Sequence, residues 1–133
     1  MVLKLYGFHG SSCTERVKII LEEKKVPYEF VLVDPFKGEH KAAAYLEKQP
    51  FGVCPYIDDG GFILYESRAI CRYIAAKYCD QGTPLLPRST DLNIIALFEQ
   101  AASIELTSCD IYLSNITFEK LAKPYVDNYS TSS

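Results

Sequence analysis

No stretch of the 133-residue sequence is long and apolar enough to span a bilayer, so no membrane partner is expected. Neither sign of charge dominates. The 14 Lys and Arg stand against 17 Asp and Glu, a net charge of −3, which gives no reason to expect nucleic acid or an anionic surface as partner. Histidine is scarce: His9 and His40 are too few and too far apart in sequence for a metal cluster, so no metal is expected. Cysteine is present but unpatterned. Cys13, Cys54, Cys71, Cys79 and Cys109 are odd in number, and no pair has CxxC or zinc-ligand spacing. The N-terminus is a short apolar run with one lysine that meets Gly7, which reads as a strand and not as a signal peptide. Free thiols without a secretion signal imply a reducing compartment, the cytoplasm.

Apolar residues make up 48% of the chain, enough for a buried core, and the length suits one domain and part of another. Val2 to Tyr6 reads as a strand and Gly7 to Gly10 as a loop. Ser12 and Glu15 have the spacing of a capping box, followed by a helical apolar stripe of Val17, Ile20 and Leu21. Lys24 and Lys25 suit the negative end of that helix, and Pro27 breaks it. Tyr28 to Val33 is a second strand, which makes a parallel crossover unit with the first. Glu39 to Lys48 can hold a short helix. Tyr56-Ile57 and Phe62-Ile63-Leu64 flank Asp58-Asp59-Gly60-Gly61, a hairpin signal. Glu66 to Tyr78 is a helix, with Ile70, Tyr73 and Ile74 on one face. Cys79 to Arg88 reads as a linker. Thr90 to about Leu113 is a helix with apolar residues on two sides, which expects neighbours on both. Asn115 to Lys123 is a further short helical piece, and Asp127 to Ser133 a polar, frayed tail. The order predicts an α/β thioredoxin-like domain (β-α-β-α-β-β-α) over residues 1–79, a linker over 80–89 and a shortened all-α domain over 90–133.

Four groups of residues carry a resemblance: Gly38-Glu39-His40-Lys41, Gln49-Pro50-Phe51-Gly52, Pro55-Tyr56 and Glu66-Ser67-Arg68-Ala69-Ile70. Their order and spacing are similar to those of the glutathione transferases, most of all the phi class and its fungal relatives. The resemblance runs from residue 1 to about 123. It implies an enzyme that takes glutathione as substrate and activates it as a thiolate, for conjugation to small apolar electrophiles or for peroxide reduction, as in detoxification.

Glutathione has two carboxylates, one ammonium and one thiol. Its thiolate is the nucleophile, and a donor aimed at the sulfur lowers the thiol pKa. Family spacing, counted back from Arg16-Val17, implies Ser11 as that donor. The capping box makes Ser12 the helix cap and leaves Ser11 for the ligand, although both serines can serve as caps. Glu66 and Ser67 open a helix, whose N-terminus favours an anion. The resemblance implies that Ser67 binds the γ-glutamyl carboxylate and Glu66 the ammonium. It also implies a cis peptide at Pro55, which turns the Cys54 backbone towards the cysteinyl unit of the ligand. His40 and Lys41 then face the glycyl carboxylate. Arg16 and Arg68 read as structural or surface residues, and Tyr6 as core.

Two departures from the family pattern stand out. The family has glutamine then valine where this chain has Val53 and Cys54. Val53 lacks the amide that would contact the glycyl end, which implies weaker binding. Cys54 places a thiol near the ligand sulfur. Cys13 lies on the first turn of a helix, though not at the position of cysteine-type transferases, which is that of Ser11. The two are the candidates for a second reading as a glutathione thiol-disulfide exchange protein. The helical domain is also short beside the family's larger bundle. That supports a third reading as a weakly active or inactive binding protein. Its exposed apolar faces imply a homodimer or larger assembly.

Overall fold

The computed structural model describes residues 1–123. The chain divides into two units, Met1–Leu86 and a second that begins at Pro87. The first is built from β1 (Leu3–Gly7), α1 (Ser12–Glu23), β2 (Tyr28–Leu32), α2 (Ala43–Leu46), β3 (Tyr56–Asp59), β4 (Phe62–Tyr65) and α3 (Ser67–Lys77). Two 3₁₀ turns, Pro35–Lys37 and Glu39–Lys41, precede α2. The helix expected from Glu39 to Lys48 is therefore divided, because Ala42 has extended backbone between the second turn and α2.

The four strands form one sheet in the order β2-β1-β3-β4. β1 pairs with β2 in parallel, as the crossover through α1 requires, and with β3 antiparallel. β3 and β4 form the expected hairpin. Its turn closes where Asp58 Oδ1 accepts from the Gly61 N–H at 2.7 Å, with Gly60 and Gly61 at φ +65° and +95°. The arrangement is the thioredoxin-like fold.

Side-chain alternation along β1 divides the interior into two cores. On one face Leu3, Leu5 and Ile57 meet Val17 and Leu21 of α1 and Ile70 and Ile74 of α3, all at most 2% exposed. On the other, Tyr6 and Tyr56 stack with centroids 4.4 Å apart, and Tyr45 of α2 meets Tyr56 edge-on at 5.1 Å. Tyr6 is thus part of this second core.

α1 ends before Pro27. Lys25 has φ +52°, its N–H bonds Glu22 O at 2.9 Å, and the Val26 N–H bonds Leu21 O at 2.9 Å. This pair of bonds is a Schellman motif with lysine where glycine is usual, and it terminates the helix two residues before the proline can. Lys24 does not sit on the surface beside the helix dipole, as its place in sequence suggests. It is fully buried, and its Nζ donates to Thr83 O at 2.9 Å. Gln81 Nε2 donates to Lys24 O at 2.8 Å, so residues 81–83 are fastened to the end of α1.

In the second unit, Asp91 caps α4 (Leu92–Ile104) by accepting from the Asn93 N–H at 2.9 Å. The chain then stays helical through a π-helical stretch (Glu105–Asp110), α5 (Ile111–Thr117) and a second π-helical stretch (Phe118–Ala122). The two separate helices expected here are one continuous helical run. From Arg88 to Lys123 there is neither glycine nor proline to stop it. α4 and α5 contain no buried residue. The tail expected at Asp127 to Ser133 lies outside the described residues.

Candidate functional site

Strand register brings the marked segments together. Tyr6 of β1 pairs with Tyr56 of β3, and Tyr56 with Tyr65 of β4. β1 and β4 run towards this level and β3 runs away from it. The loop after β1, the loop before β3 and the residues after β4 therefore all emerge from the same end of the sheet. Gly7, the last residue of β1, pairs with Leu32, the last of β2, so the segment leading to His40 and Lys41 leaves from this end as well.

The loop after β1 is anchored by a side chain of the helix it enters. Buried Thr14 accepts from the Phe8 N–H at 3.3 Å, and a Cβ on Gly7 would come within 2.5 Å of the Thr14 methyl carbon. Ser11 has extended backbone (φ −91°, ψ 117°) and accepts from the Thr14 N–H at 3.3 Å. The cap is thus Ser11 and not Ser12, which corrects the capping-box reading: Ser12 is the first helical residue and is exposed. An N-cap bond uses only a lone pair of the hydroxyl, so the Ser11 proton stays available to a further acceptor. Capping and donation to a ligand are compatible in one residue.

At the start of α3, Glu66 is exposed, has φ +71° and makes no capping bond with its side chain. A non-glycine residue in that region is held at a cost of about 1–3 kcal/mol. The helix begins at Ser67, so Glu66 precedes α3 and does not open it. Ser67 is only 6% exposed, and its Oγ accepts from Arg16 Nη1 at 2.7 Å. The same Arg16 nitrogen lies 3.5 Å from Cys13 Sγ. Arg16, read from sequence as structural or surface, therefore joins α1 to the first residue of α3. No local periodicity signals this contact, because 51 residues separate the partners. Behind it, the half-buried Cys71 thiol lies 3.8 Å from Arg16 O. Burial pushes its pKa up to about 11, against the opposing pull of Arg16 and Arg68.

The Cys54–Pro55 peptide is cis, as the resemblance implies. Val53 is 47% exposed and Cys54 half-buried. Burial raises the Cys54 thiol pKa, which keeps the group protonated at neutral pH. The preceding turn is organised by Gln49, a buried residue that the sequence marks as part of a motif without giving it a role. Its Oε1 accepts from the Phe51 N–H at 2.8 Å, and its carbonyl from the Gly52 N–H at 3.0 Å. Lys41 Nζ donates to Phe51 O at 3.3 Å, and His40 Nδ1 is buried with no partner among the described residues.

No group of three or more His, Cys, Asp or Glu among the described residues could hold a metal ion, and no helix there is long and apolar enough to cross a membrane. Residues 1–76 match the family described as glutathione S-transferase, N-terminal domain. A glutathione S-transferase of Hypomyces subiculosus is 47% identical over 125 residues, which cover 94% of this chain and 58% of that protein. The crystal structure of glutathione transferase F7 from Populus trichocarpa matches with a TM-score of 0.88 at 38% identity, over 95% of this chain and 59% of that one. Glutathione S-transferase I from maize, in complex with an atrazine glutathione conjugate, matches with a TM-score of 0.82 at 34% identity, over 95% of this chain and 57% of that one. The chain thus spans less than two thirds of the length of these relatives. A thioredoxin-like sheet with a cis-proline loop and two helix starts at one end, together with these plant and fungal relatives, places the chain in the glutathione S-transferase family.

Proposed function

We propose that the chain binds glutathione at the end of the sheet where β1 and β4 finish and activates it as a thiolate for attack on a small apolar electrophile or a peroxide. The observation that carries this reading is the shared register of Tyr6, Tyr56 and Tyr65, which sends Ser11, Cys54–Pro55 and Ser67 to one end of the sheet. Ser11 donates to the sulfur. Ser12, the first residue of α1, leaves an unpaired N–H beside it. The backbone of Cys54 pairs with the cysteinyl unit. Ser67, polarised by Arg16, takes the γ-glutamyl carboxylate, and exposed Glu66 the ammonium. His40 and Lys41 attract the glycyl carboxylate. Catalysis consists of a lowered thiol pKa together with orientation. The conjugate held by the maize relative fits the same chemistry.

Retention on glutathione resin, run beside conjugation of a generic aryl halide, tests the reading. Binding with turnover is expected, and failure of the folded protein to bind would refute it. Binding without turnover would favour a glutathione-holding protein. Exposed Val53 supports that second reading, because it has no amide to offer the ligand. The raised Cys54 pKa counts against thiol exchange, since the attacking species is the thiolate.

The cytoplasm is the location that five free thiols fit. A homodimer or larger assembly is the state that α4 and α5 favour, with Leu97 65% and Leu113 61% exposed. A monomer by light scattering at working concentration would contradict it.

A further inference from the structure

Tyr45 of α2 is buried, and its hydroxyl lies 2.8 Å from Val53 O and 3.5 Å from Cys54 Sγ. A phenol has one proton to give. The shorter contact, to a carbonyl that can only accept, takes that proton. The sulfur, at 3.5 Å, is the more distant and weaker acceptor of the same hydroxyl.

The Val53 carbonyl and the Cys54 N–H belong to one peptide unit. That unit is trans, because the cis bond in this loop is the next one. In a planar trans peptide the C=O and N–H point in opposite directions. A donor that fixes the carbonyl on one side therefore fixes the direction of the N–H on the other. Packing of the Tyr45 ring edge-on against Tyr56, itself stacked on Tyr6, ties the phenol to the sheet. We propose that Tyr45 is a positioning residue of the glutathione site: its hydroxyl sets the plane of the Val53–Cys54 peptide and so aims the Cys54 N–H at the ligand. This rests on the reading above that Cys54 pairs with glutathione through its backbone. The valine that the family has in place of Cys54 has no sulfur to meet the phenol, so the contact of Tyr45 with the thiol is a feature of this chain.

The test is Tyr45→Phe, which keeps the ring and removes the hydroxyl. Glutathione titrations by calorimetry and by amide NMR are run on the full chain, with urea unfolding as a check of the fold. In the wild type, saturating glutathione is expected to move the Cys54 amide proton downfield. In Tyr45→Phe that shift should fall to less than half and the Kd rise about fivefold, the size of one neutral hydrogen bond. A merely structural contribution would lower the urea midpoint and leave the Cys54 amide shift at saturation unchanged. That outcome overturns the proposal. Wild-type binding with a Kd unmoved in the variant also overturns it, but leaves the reading of the site intact. A wild type that does not bind glutathione overturns both. Should Tyr45→Phe fail to fold, site-specific 3-fluorotyrosine at position 45 keeps the hydroxyl and makes the phenol more acidic. It must then shift the Cys54 amide in the bound state, and no shift would sink the proposal.

Discussion

Replacing Ser11 by alanine removes a cap and a proposed thiolate donor in one step, and the two losses have separate sizes and separate readouts. Without the oxygen that accepts from the Thr14 N–H, α1 loses an N-cap bond. That costs about 1 kcal/mol, within a range of about 0.5–2. For a unit of the size of Met1–Leu86, about 1 kcal/mol lowers the Tm by roughly 4–8 °C. The donor loss is read on the ligand. A hydrogen bond to a charged partner is worth about 1.5–3 kcal/mol, and each pKa unit corresponds to about 1.36 kcal/mol. The thiol of bound glutathione should therefore titrate about 1–2 units higher in Ser11→Ala. At a pH below the wild-type value, the thiolate fraction and the conjugation rate fall by about ten- to a hundredfold. The ultraviolet absorbance of the bound thiolate, followed against pH, measures this without reference to turnover. Two companion variants separate the roles. Ser11→Thr keeps both the acceptor and the O–H and should restore stability and thiol pKa together. Ser11→Asp caps the helix but has no proton to give, so it should restore the Tm and leave the bound thiol at least as hard to ionise as in the alanine variant. A Ser11→Ala protein that loses stability while its bound thiol titrates like the wild type would refute the donor role and reduce Ser11 to a cap.

Ser67→Ala should weaken glutathione binding by about ten- to a hundredfold, from loss of a charge-assisted bond at a site only 6% exposed. Unchanged retention on glutathione resin would contradict this. Gly52→Ala should destabilise the fold by about 1 kcal/mol or more, because φ is +59° and the new Cβ would lie 3.0 Å from His40 O, a backbone atom with little room to give. The urea midpoint should drop accordingly, and an unchanged midpoint would refute the strain argument. Burial raises Cys71 from the ordinary 9.0 to about 11, so folding favours its protonated form. That stabilisation is full below about pH 9 and is lost as pH rises towards 11, at most about 2–3 kcal/mol. The alkaline fall in stability should be shallower in Cys71→Ala, and identical pH profiles would show that the thiol plays no part.

Much of the site was legible from local pattern. The run from Val2 to Tyr6, the aspartate–glycine turn at residues 58–61 and the helical stripe through Ile70 and Ile74 announce their elements, because each signal spans only a few neighbouring residues. Family spacing then marked Ser11, Cys54–Pro55 and Glu66–Ser67. Local pattern misled where two short-range solutions compete. Ser11 and Ser12 both suit a cap, and the choice follows from the loop that enters the helix, where Thr14 holds the Phe8 N–H. Pro27 can end α1, but the left-handed Lys25 ends it first.

The sequence by itself determined the order of the strands and of α1 and α3, the hairpin and the thioredoxin-like class, since periodicity and turn chemistry are local. Only the tertiary structure decided that Arg16 meets Ser67, that Lys24 is buried against Thr83 and that Tyr45 holds the Val53 carbonyl. The first two contacts join residues 51 and 59 positions apart, and the third spans 8 residues across a turn with no regular period. No repeat in the chain encodes such contacts. Strand register and helix packing create them, by bringing those side chains to the same end of the sheet or against the same helix.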